Sequence, residues 1–222
     1  MSTPSSGDGT APSVDVMTSL TALAINCTLT PSPDESSTDL LLSQVMTALG
    51  THGVTGDTIR IVDYDVRPGV KTDMGDGDEW PRIREKVLAS DILIFGTPIW
   101  MGHMSSIAQR VLERLDAELS ETDDAGRPIL FDKVAAVVVV GNEDGAHHAT
   151  ADLYQGLADV GFTIAAQAGT YWNGEAMHTT DYKDLESTPD EVASATETLA
   201  RTTAHLARVL KAQPYPALSD ES

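Results

Sequence analysis

The chain is short of positive charge, of cysteine and of long apolar runs, and each shortage narrows what it can do. Only 14 lysines and arginines stand against 34 acidic residues, a formal charge of −20 at pH 7. That balance argues against sequence-independent binding to nucleic acid or to an anionic membrane, and it reads as a solvated acidic surface. An anionic ligand must be held locally, by backbone N–H groups and hydroxyls. No apolar run approaches the ~20 residues that cross a bilayer, and the first residues lack the basic start and apolar centre of a secretory signal. The single cysteine, Cys27, excludes an internal disulfide and fits a reducing cytoplasm.

What is present is one core's worth of alternating strands and helices in 222 residues. Residues 1–18, poor in large apolar side chains, are expected to be a disordered tail; 19–213 form the single domain and 214–222 a second tail. Strands are expected at Leu20–Ile25, at Asp57–Val62 (edge-like in its alternation), at Ile92–Phe95, at Lys133–Val140 and at Phe162–Ala166. Helical spacing follows at Leu41, Val45, Ala48 and Leu49, with Gly53 after the end. It recurs around Trp80, Ile83 and Val87, along Ile107, Val111, Leu115 and Leu119 after the caps Ser105 and Ser106, and through Leu153, Leu157 and Val160. The last helix carries Val192, Ala195, Leu199, Leu206 and Val209, and Thr188-Pro189-Asp190-Glu191 reads as its capping box. Strand and helix in strict alternation imply a parallel sheet covered on both faces, a doubly wound α/β fold of five strands.

The loops that follow the first, third and fourth strands carry the chemistry. After the first come Thr28 and the hydroxyls Ser36, Ser37 and Thr38, where the N-terminus of a helix would meet an anion. After the third comes TPIWMGHMSS: Pro98, Ile99, Trp100, Met101 and Gly102 put large, polarizable side chains and a flexible glycine at a strand's carboxyl end. After the fourth comes GNEDGAHH, in which Gly141, Asn142, Glu143, Asp144 and Gly145 precede another helix start, with His147 beside them. His147 and His148 diverge as neighbours and suit a loop role, or contact with an aromatic ligand, better than a metal. The loop from Asp63 to Glu79, with Asp73, Asp76, Asp78 and Glu79, lacks an EF-hand pattern and reads as a solvated lid. In the stretch from 168 to 185, Tyr171, Trp172, Gly174, Met177 and Tyr182 are too concentrated for a linker; they suit a packed surface loop or, equally, the rim of a site or a subunit contact.

At these residues the chain resembles the flavodoxin superfamily, in the branch of NAD(P)H-dependent FMN and quinone reductases. The resemblance covers about residues 20–212, and its most specific piece is TPIWMGHMSS. It implies the strand order 2-1-3-4-5, in which the three loops converge. By resemblance, Pro98 to Gly102 would cup the flavin ring, Thr28 and Ser36 to Thr38 would hold the FMN phosphate, and Gly141 to Gly145 with His147 would flank the pyrimidine edge. The first loop lacks the Thr-x-Thr-Gly start of flavodoxins. The implied chemistry is hydride transfer from NADPH or NADH to FMN and on to a quinone or another small acceptor, in a homodimer or homotetramer and with no metal. The rival is a flavodoxin-type electron carrier, which the acidic charge and Trp100 also suit.

Overall fold

A computed structural model of the chain describes residues 19–175 and 178–217. The expected N-terminal tail, Met177 and the last part of the expected C-terminal tail lie outside the described residues. Five strands, β1 (Leu20–Asn26), β2 (Val54–Arg60), β3 (Ile92–Trp100), β4 (Val134–Gly141) and β5 (Thr163–Asn173), form one parallel sheet. Their order is β2-β1-β3-β4-β5, the doubly wound order expected, and a two-residue strand, His103–Met104, folds back antiparallel on the end of β3. The helices are α1 (Ser37–Thr51), α2 (Trp80–Ala89), α3 (Ser106–Leu115), α4 (Ala146–Asp159) and α5 (Asp190–Ala212).

Alternation along the central strands fills two cores. Leu23, Ile25, Leu93, Phe95, Val137 and Val139 face α2, α3 and α4, while Ala24, Ile92, Ile94, Val138 and Val140 face α1 and α5. Strand β4, buried at every position but its last, needs the continuous apolar run that its sequence shows.

Several boundaries differ from expectation, each for a physical reason. Strand β3 runs on through Pro98 to Trp100 because β1 stops pairing at Gly96, so the missing N–H of Pro98 interrupts no ladder on that side. Strand β5 continues past Ala166 to Asn173 across a bulge between the partners of Ala135 and Val137, where Gln167 takes φ +54°. Strand β2 lies earlier, at 54–60, and holds the sheet edge. Helix α3 stops at Leu115; a 3-10 turn over Asp116–Ser120 leaves Leu119 outside the core. Thr188 does not cap α5: its hydroxyl accepts from Gln44 Nε2, and the helix begins two residues later with its buried face on Val192, Thr196, Leu199, Thr203 and Leu210, while Val209 is exposed.

The loop 63–79 is exposed at most positions, as expected of a solvated loop, but it is anchored at one buried point. Asp78 and Arg114 form a fully buried ion pair at 2.8 Å. The same guanidinium donates to the carbonyls of Arg67 and Lys71 and lies over the Trp80 ring. Burial raises the Asp78 carboxyl, but the N–H of Met74, the Arg114 guanidinium and the N–H groups of Arg67 and Trp80 outweigh it, so the group titrates below its ordinary value. Asp73 accepts from Gly75 N–H and Glu79 from Asp65 N–H, so these carboxylates serve their own loop.

Candidate functional site

The loop after β1 is held by side chains. Asn26, completely buried, accepts from Thr28 N–H at 3.0 Å and donates to Asp39 at 2.9 Å. Arg60, at the end of β2, pairs with the other Asp39 oxygen at 3.2 Å and donates to the carbonyls of Thr30 and Asp34. Ser32 donates its N–H and hydroxyl to Asp63, and these bonds lower that carboxyl's pKa. Beneath the loop Ser36 caps α1, accepting from Asp39 N–H at 3.3 Å. The first-turn N–H groups of Ser37 and Thr38 have no carbonyl a turn earlier to bond to, which leaves them for a ligand.

Around the turn after β3 the constraint passes to the backbone. Ile99 is buried, Trp100 is 53% exposed and Met101 87%, with Met101 at φ +52° and Gly102 at φ +79°. Met101 N–H donates to Glu143 at 2.8 Å, which ties the turn to the loop after β4. There Gly145 sits at φ +118°, and a Cβ on it would lie 2.6 Å from the Cα and the oxygen of Gly102. Only glycine fits that contact. Below, Ser105 caps α3, takes its own N–H to Thr97 Oγ1 and donates its hydroxyl to the carbonyl of Cys27 at 2.6 Å. Cys27 is buried, which pushes its thiol pKa well up and keeps it unreactive.

Between the two loops lies a cavity of about 260 Å³, at the switch point where β1 and β3 part. It brings together Thr28, Ser36, Ser37, Thr38, Pro98, Ile99, Trp100, Gly141 and Asn142. It does not include Met101, Gly102 or Glu143, which form the turn and its tether; Asp144, Gly145 and His147 line an adjoining depression of about 200 Å³ with Tyr171. Tyr171 Oη is 3.1 Å from His147 Nε2, and Trp172 tilts against Tyr182. A roomier cavity along β5 and α5, about 530 Å³, is lined by His147 and Tyr171 but by none of the other residues expected at the site.

No sequence motif marks Lys183. It reaches this cavity from a 3-10 turn, Tyr182–Asp184, and its N–H donates to Ser37 Oγ at 3.2 Å. The turn is fixed by Tyr182 Oη donating to Gln44 and by Asn142 donating to Asp181. A hydrogen bond to Asp184 at 2.8 Å raises the Lys183 pKa, so the ammonium of this cavity-lining residue stays charged. In a chain this acidic, that cation answers an anion better than hydroxyls alone.

The cavity therefore offers hydroxyls and two first-turn N–H groups at one end, an apolar floor open on the Trp100 side at the other, and a lining that includes Lys183 with the carboxylates of Glu35 and Asp181. That donor set suits a phosphate joined to a flat ring, and so fits FMN. Residues 20–178 match the family described as NADPH-dependent FMN reductase. Among curated proteins, the chain is 31% identical over 208 residues to 8-demethyl-8-aminoriboflavin-5'-phosphate synthase of Streptomyces davaonensis, covering 88% of this chain and 80% of that one. It is also 39% identical over 169 residues to a divalent metal cation transporter, MntH, of Mycobacterium bovis; that match takes in 74% of this chain and spans 25% of the transporter's length. Among solved structures, RosB with the bound intermediate 8-demethyl-8-formylriboflavin-5'-phosphate superposes with a TM-score of 0.81 at 30% identity, covering 89% and 82% of the two chains.

Proposed function

The chain belongs to the NADPH-dependent FMN reductase family, and from that premise we propose that it passes electrons from NADPH or NADH through FMN to a quinone or another small acceptor. When bound, FMN accepts hydride and releases electrons singly or in pairs. The residues of this chain bind, orient and shield. Ser36, Ser37 and Thr38 at the N-terminus of α1, with Thr28 and the Lys183 ammonium, would hold the phosphate. Pro98, Ile99 and Trp100 would floor the ring, and the N–H groups of 141–145, before α4, would favour negative charge on its pyrimidine edge without a catalytic acid or base. The observation that carries this reading is the single cavity in which an anion site and an apolar, solvent-open floor meet.

Exposed Tyr171 and the outer edge of β5, which pairs with no strand among the described residues, support a homodimer or homotetramer. No helix among the described residues is long and apolar enough to cross a membrane, and we place the activity in the cytoplasm.

The deciding experiment is the visible spectrum of the purified protein with FMN, followed anaerobically during addition of NADPH or NADH and then of a quinone. Direct bleaching and reoxidation by the quinone are expected. Accumulation of a one-electron form, with indifference to both nucleotides, would replace the reductase by an electron carrier. A second reading has specific support in the synthase relative, similar over 88% of this chain: the flavin phosphate itself is the substrate. Recovery of the flavin with an altered mass after turnover would select it.

A further inference from the structure

Beside the turn that carries Trp100, three side chains from two elements converge. A ring nitrogen of His103, a ring nitrogen of His148 and a carboxylate oxygen of Asp152 all lie within 4.8 Å of one another. His103 belongs to the short strand that folds back on β3; His148 and Asp152 stand one turn apart on α4. The two rings meet edge to face with centroids 4.5 Å apart. His148 Nδ1 is 3.1 Å from the carbonyl oxygen of Gly102, an atom that can only accept, so Nδ1 carries the proton. In the neutral ring Nε2 then presents a lone pair, and it faces Asp152 Oδ2 at 3.5 Å.

Two acceptors so placed repel each other unless a cation lies between them. An imidazole with one nitrogen fixed by a backbone carbonyl and the other turned toward a carboxylate and a second imidazole is how proteins prepare a histidine to bind metal. Beyond the flavin chemistry, we propose that His103, His148 and Asp152 bind a divalent transition-metal ion of the zinc type. Nitrogen and oxygen donors at ~2.0–2.2 Å around a tetrahedral ion stand about 3.3–3.5 Å apart. The His148–Asp152 separation already has that value, and His103, on an exposed surface, closes the third side by a rotamer adjustment. Three protein ligands leave a fourth position for water. The ion would fasten the Trp100–His103 turn to the first turn of α4 and so clamp the two walls of the ring end. The competing arrangement is a doubly protonated His148 paired with Asp152, with no metal.

Calorimetric titration of Zn²⁺ into the untagged, flavin-loaded chain separates the two. The expected result is one site per chain, weakened by about tenfold or more in each of His103→Gln, His148→Gln and Asp152→Asn, unchanged in His205→Gln on the exposed face of α5, and weakening as pH falls and the imidazoles protonate. Absence of a stoichiometric site would overturn the proposal in favour of the ion pair. So would equal loss in His205→Gln, which marks scattered surface binding, or full retention in the three cluster variants. Because the readout is zinc binding, failure here leaves the flavin reading standing, and failure of nucleotide oxidation leaves this one standing.

Discussion

The two ends of the cavity are held in different ways. At the hydroxyl-rich end the loop is positioned by side chains: Asn26, Arg60, Asp63 and the Ser36 cap each donate or accept across it. At the ring end the main chain sets most of the position, with Gly145 touching Gly102 and Met101 and Gly102 in left-handed conformations, and side chains add two tethers, Glu143 and His148. The side chains there, Trp100 and Met101, project into solvent. An anion site needs several donors at fixed distances, which polar side chains supply. A surface that must admit two partners in turn needs a firm backbone under replaceable side chains.

The sharpest way to break that contrast is Gly145→Ala. Positive φ and the clash with Gly102 should cost roughly 2–4 kcal/mol, read as a lower denaturation midpoint, with the flavin-reduction rate falling as well. Next comes Asn26→Leu, which leaves the buried Thr28 N–H without its acceptor. The expected loss is about 1–3 kcal/mol of stability and about tenfold or more in FMN affinity, checked by urea unfolding and fluorescence titration. Lys183→Met sharpens the comparison instead: FMN should bind roughly twofold to fivefold more weakly, while riboflavin, which has no phosphate, binds as before. Equal weakening of both would remove Lys183 from the phosphate end. The smallest structural effect belongs to Trp100→Ala, within about 0.5 kcal/mol for so exposed a side chain; its signature is a changed acceptor preference at an unchanged melting temperature.

Much of this was legible in the residues. The valine-rich apolar run of β4 and the helical spacing of Leu41, Val45, Ala48 and Leu49 encode elements by local pattern, and their alternation dictates the sheet. The loops converge because a doubly wound sheet must reverse its winding somewhere, which is a property of strand order. The parts that escaped depend on partners remote in sequence. Pro98 looks like a strand end until the shorter β1 beside it is seen, and β5 looks finished at Ala166 because a bulge interrupts its alternation. Lys183 carries no motif; only the packing of Tyr182 against Gln44 brings it to Ser37. His103 could not be joined to His148 and Asp152 before the hairpin after β3 was placed against α4.

Arg114 has a consequence for anyone who re-engineers the chain. Its guanidinium holds Asp78 and the carbonyls of Arg67 and Lys71 at once. A lysine, with a single compact ammonium, cannot reproduce that fork. The glycine- and aspartate-rich stretch from 63 to 79, which is exposed at most positions and invites insertion of a tag, an epitope or a cleavage sequence, is thereby pinned at Arg67, Lys71 and Asp78 to one buried side chain. An insertion at the exposed tip around Gly75 should therefore be tolerated, whereas one that displaces the carbonyls of Arg67 or Lys71 or the carboxylate of Asp78 would strand a buried guanidinium.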